Sequence, residues 1–214
     1  MPGSLLSVNV VHSLIPDKSG DLDRTAIDKR AVDHPAFVND RGVLGDVQYD
    51  IRHHGGPDQA VYAYAREDYD AWETILGRKL TDGCFGENIT TTGLDVTGAL
   101  IGQTWRIGDV ELIVRSPRIP CRTFAGFIGE DKWVKRFTAH GAPGAYFSVL
   151  NEGTISAGDP IELGPTPDHD VSIGDLFAVL SGDRERLARV AACPDLLPES
   201  VQVLQRMLRP AAAQ

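Results

Sequence analysis

Cys121 stands in the run Ser116-Pro117-Arg118-Ile119-Pro120-Cys121-Arg122, where residue types and spacing set up thiol chemistry. Two prolines fix φ and remove backbone donors, so a preceding strand must stop here and the chain is held stiffly. A thiol on such a turn keeps one position. Arg115, Arg118 and Arg122 bring positive charge around it. Cations near a thiol favour the thiolate, the form that attacks electrophiles or ligates metals. A plainer reading is equally open at this point: a small apolar residue beneath a proline-rich turn, with its arginines in water.

Two glycine-rich runs add groups of other kinds. His53-His54-Gly55-Gly56-Pro57-Asp58-Gln59-Ala60 pairs histidines with glycines. The glycines let the backbone approach a ligand or take positive φ, and the histidines can bond, ligate or shuttle protons. Taken alone it reads slightly better as a tight turn with solvated histidines. Gly83-Cys84-Phe85-Gly86-Glu87-Asn88-Ile89 sets a carboxylate acceptor beside a two-faced amide. Alone, that run reads best as a bulge with Asx-turn chemistry. The basic stretch Lys132 to Arg136 is the solvated face of a helix.

The elements that must position these groups are mostly strands. Leu5 to Val11, Ala60 to Tyr64, Ile89 to Thr92, Gln103 to Ile107, Val110 to Arg115, Tyr146 to Leu150 and Ile161 to Leu163 have strand character. Gly-Asp pairs at Gly45-Asp46, Gly108-Asp109 and Gly158-Asp159 reverse the chain. This spacing predicts a mainly β, closed or sandwiched domain over 1–165, with peripheral helices. One helix is predicted over 67–80, with Trp72, Ile75, Leu76 and Leu80 on one face. A second is predicted over 130–137, with Trp133, Val134 and Phe137 inward. Beyond Gly164-Pro-Thr-Pro167, residues 166–214 read as a three-helix C-terminal domain. Its second helix is opened by Asp183 and its third by Pro198. Its small size calls for docking on the β part or on another subunit.

Composition bounds the function classes. A net charge of −9 opposes a nucleic-acid-binding surface, which needs a clustered cationic excess. The 16 arginines against five lysines suit planar recognition of carboxylate or phosphate, and equally an Arg-rich coding bias. Three distant cysteines with no CxxC give neither a disulfide framework nor a zinc ribbon. No stretch reaches the ~20 apolar residues of a membrane helix, and no signal-peptide pattern opens the chain, so a cytoplasmic setting is expected. No GxGxxG stands between a strand and a helix, so no flavin or nicotinamide site is expected. No lysine sits in a recognisable Schiff-base context for pyridoxal phosphate.

In order, Gly45-Asp46, Asp50, His54-Gly-Gly-Pro-Asp, Phe85-Gly-Glu-Asn88, Ile101-Gly102, Gly108-Asp109, Pro117-Arg118-Ile-Pro-Cys121, Gly144-Ala-Tyr146 and Ala157-Gly158-Asp159 form a recognisable set. The chain resembles the MOSC domain family, named for the C-terminal domain of molybdenum cofactor sulfurases, in its stand-alone bacterial YiiM-type branch. The likeness covers roughly residues 5–163, and the tail from Asp170 to Leu208 resembles the three-helix domain of that branch. It implies a β-barrel-like fold carrying the molybdenum cofactor (molybdopterin). Cys121 would be the metal ligand, and Arg118, Arg115, Arg122, Asn88, Gly55 and Gly56 would serve cofactor binding. His54 and Glu87 would join Cys121 in catalysis, His54 as proton donor and Glu87 as an orienting group.

Related proteins reduce N-hydroxylated bases and amidoximes with electrons from a separate reductase, so the resemblance implies a small-molecule N-hydroxylated substrate and such a partner. Neither nucleic acid nor membrane is an expected partner, and a homodimer fits the tail. An alternative is a carrier that passes cofactor or sulfur to a partner enzyme. A third is a metal-free cysteine hydrolase or thiol peroxidase using His54 as base. Two positions depart from the family pattern. Gln59 stands where a lysine is usual, and Cys84 is an extra cysteine that could trap Cys121 as a disulfide.

Overall fold

The computed structural model describes residues 3–18, 22–49 and 55–209. The chain opens with β1 (Ser4–Val11), β2 (Ile15–Pro16), β3 (Arg24–Thr25), β4 (Lys29–Ala31), β5 (Ala36–Asn39) and β6 (Gly42–Val43). A 3-10 turn (Pro57–Gln59) leads into β7 (Val61–Ala65), α1 (Arg66–Leu76), β8 (Ile89–Thr92), β9 (Thr104–Ile107) and β10 (Val110–Pro117). Then come α2 (Arg122–Ile128), α3 (Trp133–His140), β11 (Ala145–Asn151), β12 (Gly153–Ile155) and β13 (Ile161–Leu163). The tail carries α4 (Ile173–Leu180), α5 (Leu187–Ala191) and α6 (Pro198–Leu208).

The fold is mainly β with peripheral helices. Eight strands form one sheet in the order β13-β9-β10-β11-β7-β8-β1-β4. It curls without closing into a barrel. Its edges are β13 and β4, although Leu5 and Gly158–Asp159 exchange backbone bonds of 2.7 and 2.9 Å that draw the two ends together. All pairings are antiparallel except β7 with β8. A parallel pair needs a long crossover. Here residues 66–88 supply it, so α1 and the Gly83–Asn88 loop are forced over one end of the sheet.

The predicted helix over 67–80 ends early, at Leu76. Gly77 takes φ 66° and returns its amide to the Glu73 carbonyl, which ends the helix. Tyr69 and Trp72 are its buried face, and Ile75 is exposed. Val134 on α3 is likewise exposed, while Trp133 and Phe137 turn inward. Asp183 caps no helix; its carboxylate accepts the Glu185 amide in a turn before α5. Pro198 does open α6. The helix α2, directly after Cys121, has no counterpart in the sequence reading.

Two buried clusters hold these layers. One runs through the sheet and into the tail, joining Trp105, Leu112 and Val114 with Ile173, Leu176 and Val190. The other is aromatic and lies under α1, α2 and α3. Phe85 is at its centre, with the Tyr69, Tyr64 and Phe124 rings 4.7, 5.0 and 5.2 Å away. That packing fixes the crossover loop. Gly144 lets β11 lie close to β7: its φ is 68°, and a Cβ there would meet the Ala63 carbonyl at 2.5 Å. No helix among the described residues is long and apolar enough to cross a membrane.

One charge on α1 makes the fold pH-sensitive. Burial, with Asp95 and Glu67 nearby, pushes the Asp68 carboxyl up to about 6. The fold therefore favours its protonated form. This contribution is complete below the unfolded value of about 4 and is lost as pH rises through about 6. Asp68→Asn is expected to raise stability by about 1–2 kcal/mol near neutral pH and by little near pH 4. Urea midpoints at the two pH values check this; an equal change at both would refute the assignment.

Candidate functional site

A cleft of about 520 Å³ opens at the end of the sheet, between β3–β4, the 46–49 segment, the crossover loop and the turn holding Cys121. Cys121 lies half-buried in its wall, in extended backbone between β10 and the first turn of α2. The prolines at 117 and 120 end the strand and aim the following residues at the cleft.

Arg118 is the other fixed point. Only 8% exposed, it donates to the Phe85 carbonyl. Its guanidinium lies 4.0 Å from the Phe124 ring centre and 5.1 Å from that of Tyr62. No carboxylate among the described residues forms an ion pair with it, and a buried cation is ordinarily paired. Electrostatically it responds to Tyr62, Tyr146 and Cys121. Among the described residues, Arg118, Arg24, Arg122 and Lys29 line the cleft against Asp17 and Asp46, four cations to two carboxylates in a chain of net charge −9. The described lining is locally cationic in an acidic protein.

Its floor is a closed polar network. Lys29 Nζ donates to Asp46 Oδ2 at 2.6 Å, and Asn88 Nδ2 donates to the same oxygen at 2.7 Å. Asp46 Oδ1 accepts the Val11 amide at 3.0 Å. Burial pulls the Lys29 ammonium below its ordinary value, with Asp46 opposing the shift. Asn88 Oδ1 accepts the Tyr62 amide at 3.1 Å, which ties the crossover loop to β7. Asn88 lines the cleft, yet its side chain serves mainly to hold Asp46.

The other expected residues divide. Arg122 lines the cleft beside Cys121. Arg115 does not: it donates to Ser148 Oγ at 2.9 Å and lies 3.7 Å from Asp58. Glu87 is fully buried inside its own loop, away from the cleft. Its carboxylate accepts from Tyr69 Oη at 2.8 Å, Thr90 Oγ1 at 2.8 Å and the Gly83 and Phe85 amides at 2.5 and 3.2 Å. Burial pushes its carboxyl up, and these donors oppose the shift. It holds the backbone that presents the Phe85 carbonyl to Arg118.

Gly55 borders the cleft, but its amide is taken by Gln59 Oε1 and that of Gly56 by Gln48 Oε1, each at 3.0 Å. Those two N–H groups are therefore not free for a ligand. His54 lies outside the described residues. Cys84 borders a different hollow, with Asp82 and Phe127, and burial pushes its thiol up to about 12. None of the three cysteines is in a disulfide.

Sequence reasoning missed Lys29, the buried role of Asp46, and Tyr62 and Tyr146. Lys29 and Asp46 are 17 residues apart, and neither lies on a periodic stripe. For Tyr146 there was a signal, its place after Gly144 at the start of a strand. The donor set suits an anionic group carrying a metal that takes sulfur: a half-buried thiol beside a buried guanidinium with no carboxylate partner among the described residues.

Comparison with known proteins agrees with this geometry. Residues 50–162 match the model of the MOSC domain. The chain is 36% identical over 160 residues to the uncharacterized protein YflK of Bacillus subtilis, covering 75% of this chain and 72% of that one. It is 32% identical over 199 residues to a protein named reductase from Gibberella moniliformis, covering 91% of this chain but only 35% of that longer one. The crystal structure of YiiM from Geobacillus stearothermophilus superposes with a TM-score of 0.77 at 28% identity, over 97% of this chain and 100% of that one. The chain belongs to the MOSC domain family and is of the YiiM type.

Proposed function

We propose that the cleft binds the molybdenum cofactor, with Cys121 as sulfur ligand, and that the protein reduces N-hydroxylated bases or related N–O compounds. The observation that carries this reading is the buried Arg118 guanidinium, without a carboxylate partner among the described residues, beside a thiol on a proline-stiffened turn. The family's association with the molybdenum cofactor and the Gibberella relative's name support it.

When bound, the cofactor supplies two-electron redox chemistry at a metal that a thiolate suits. Arg118 and Arg122 neutralise its anionic groups. Lys29, held by Asp46, adds a third cation at the floor. Asn88 and Glu87 fix the loop against which Arg118 rests. Cleaving N–OH to N–H consumes two electrons and two protons and releases water. A separate reductase supplies the electrons, and His54 would give a proton at the departing oxygen.

Protein made in a host able to synthesise the cofactor is expected to hold roughly one molybdenum per chain, and Cys121→Ala almost none. Cys121→Ala that keeps its metal would overturn the ligand assignment. Metal bound without turnover, given an artificial electron donor, would favour a carrier over a reductase.

A further inference from the structure

Two tyrosines face each other across β7 and β11, in register at Tyr62 and Tyr146, with ring centres 4.9 Å apart. Their hydroxyls have different fates. Tyr62 Oη donates to the Pro143 carbonyl at 2.8 Å. Tyr146, half-buried in the cleft wall, has no hydrogen-bond partner for its hydroxyl among the described residues. The titratable groups that act on it are Arg118 and Cys121. Its ring cannot swing away readily, since Tyr62 covers one side and the β10–β11 ladder holds its backbone against Ser116.

A phenol in such a place is a donor awaiting an acceptor. Half-buried in the cleft wall beside a cation and a thiol, it can donate to an oxygen bound there. We propose that Tyr146 is a further ligand-binding residue of the cleft, donating its O–H to an anionic oxygen of the group held between Cys121 and Arg118. Tyr62 is then the scaffold tyrosine and Tyr146 the recognising one. The assignment rests on the reading of the cleft as an anion site, and it adds a neutral donor that selects for oxygen over other anions.

Calorimetric titration of the full-length, cofactor-free chain with inorganic phosphate tests it. Tyr146→Phe is expected to bind phosphate about tenfold more weakly, the effect of losing one hydrogen bond to a charged acceptor. Its melting temperature should stay near that of the wild type, since no protein group loses a partner. Tyr62→Phe should melt lower, since it loses the bond to the Pro143 carbonyl. Equal affinity in Tyr146→Phe, with binding lost in Arg118→Gln, would overturn the role of Tyr146 and leave the anion site standing. No phosphate binding by the wild type, or wild-type affinity in Arg118→Gln, would remove the anion site and this assignment together.

Discussion

Deleting residues 166–214 is expected to leave a chain that no longer melts cooperatively. The tail shares its core with the sheet. Val171, Ile173, Leu176, Val179 and Leu204 lie in the same buried cluster as Leu112 and Val114, and α4 packs on β10. Backbone bonds add to this: Ile101 N–H donates to Val171, Ile173 N–H to Ala99 and Gly174 N–H to Thr97, at 3.1, 2.9 and 2.8 Å. Each large apolar side chain so buried contributes about 1.5–3 kcal/mol. Losing several at once is comparable with a total stability of about 5–15 kcal/mol. Thermal unfolding followed by circular dichroism is the check. A cooperative transition within a few degrees of the full chain would show that the sheet needs no tail.

The second large effect concerns the floor of the cleft. Asp46→Ala leaves Lys29 buried without its counter-charge and orphans the Val11 amide and the Asn88 amide group. Removing one partner of a buried pair costs about 3–5 kcal/mol. The double variant Lys29→Met/Asp46→Ala removes both charges and is expected to recover part of that loss, although the Val11 amide stays unmet. Urea unfolding of the wild type, both single variants and the double closes the cycle. Additive losses would mean that the two residues stabilise the fold independently, contrary to a 2.6 Å contact.

What could be read from the sequence follows from how local each cause is. β10 and the halt after it were legible because β-branched residues and two prolines act within a few positions. The Cys121 turn was found for the same reason. Helix α2 was missed although Phe124, Phe127 and Ile128 stand at i, i+3 and i+4: with seven residues and Gly126 inside it, the segment is too short for the period to declare itself. Glu87 was given a catalytic part by the family resemblance, whereas the run alone reads as a bulge. Only folding shows that four donors from its own loop and from Tyr69 enclose it. The Lys29–Asp46 pair and the open Tyr146 hydroxyl depend on long-range pairing, which no local pattern records.

The guanidinium of Arg118 has a bearing on the life of the protein in a cell. Buried without a carboxylate partner among the described residues, this cation costs the fold some stability, and an anion that reaches it would offset that cost. Binding to the native state alone raises stability by RT ln(1 + [L]/Kd), about 2.7 kcal/mol at a hundredfold excess over Kd. The ligand thus acts as a folding partner as well as a reagent. Chains made where it is scarce would open more often and be degraded sooner, so that steady-state abundance would follow supply. Quality control would then be written into the same side chain that recognises the ligand.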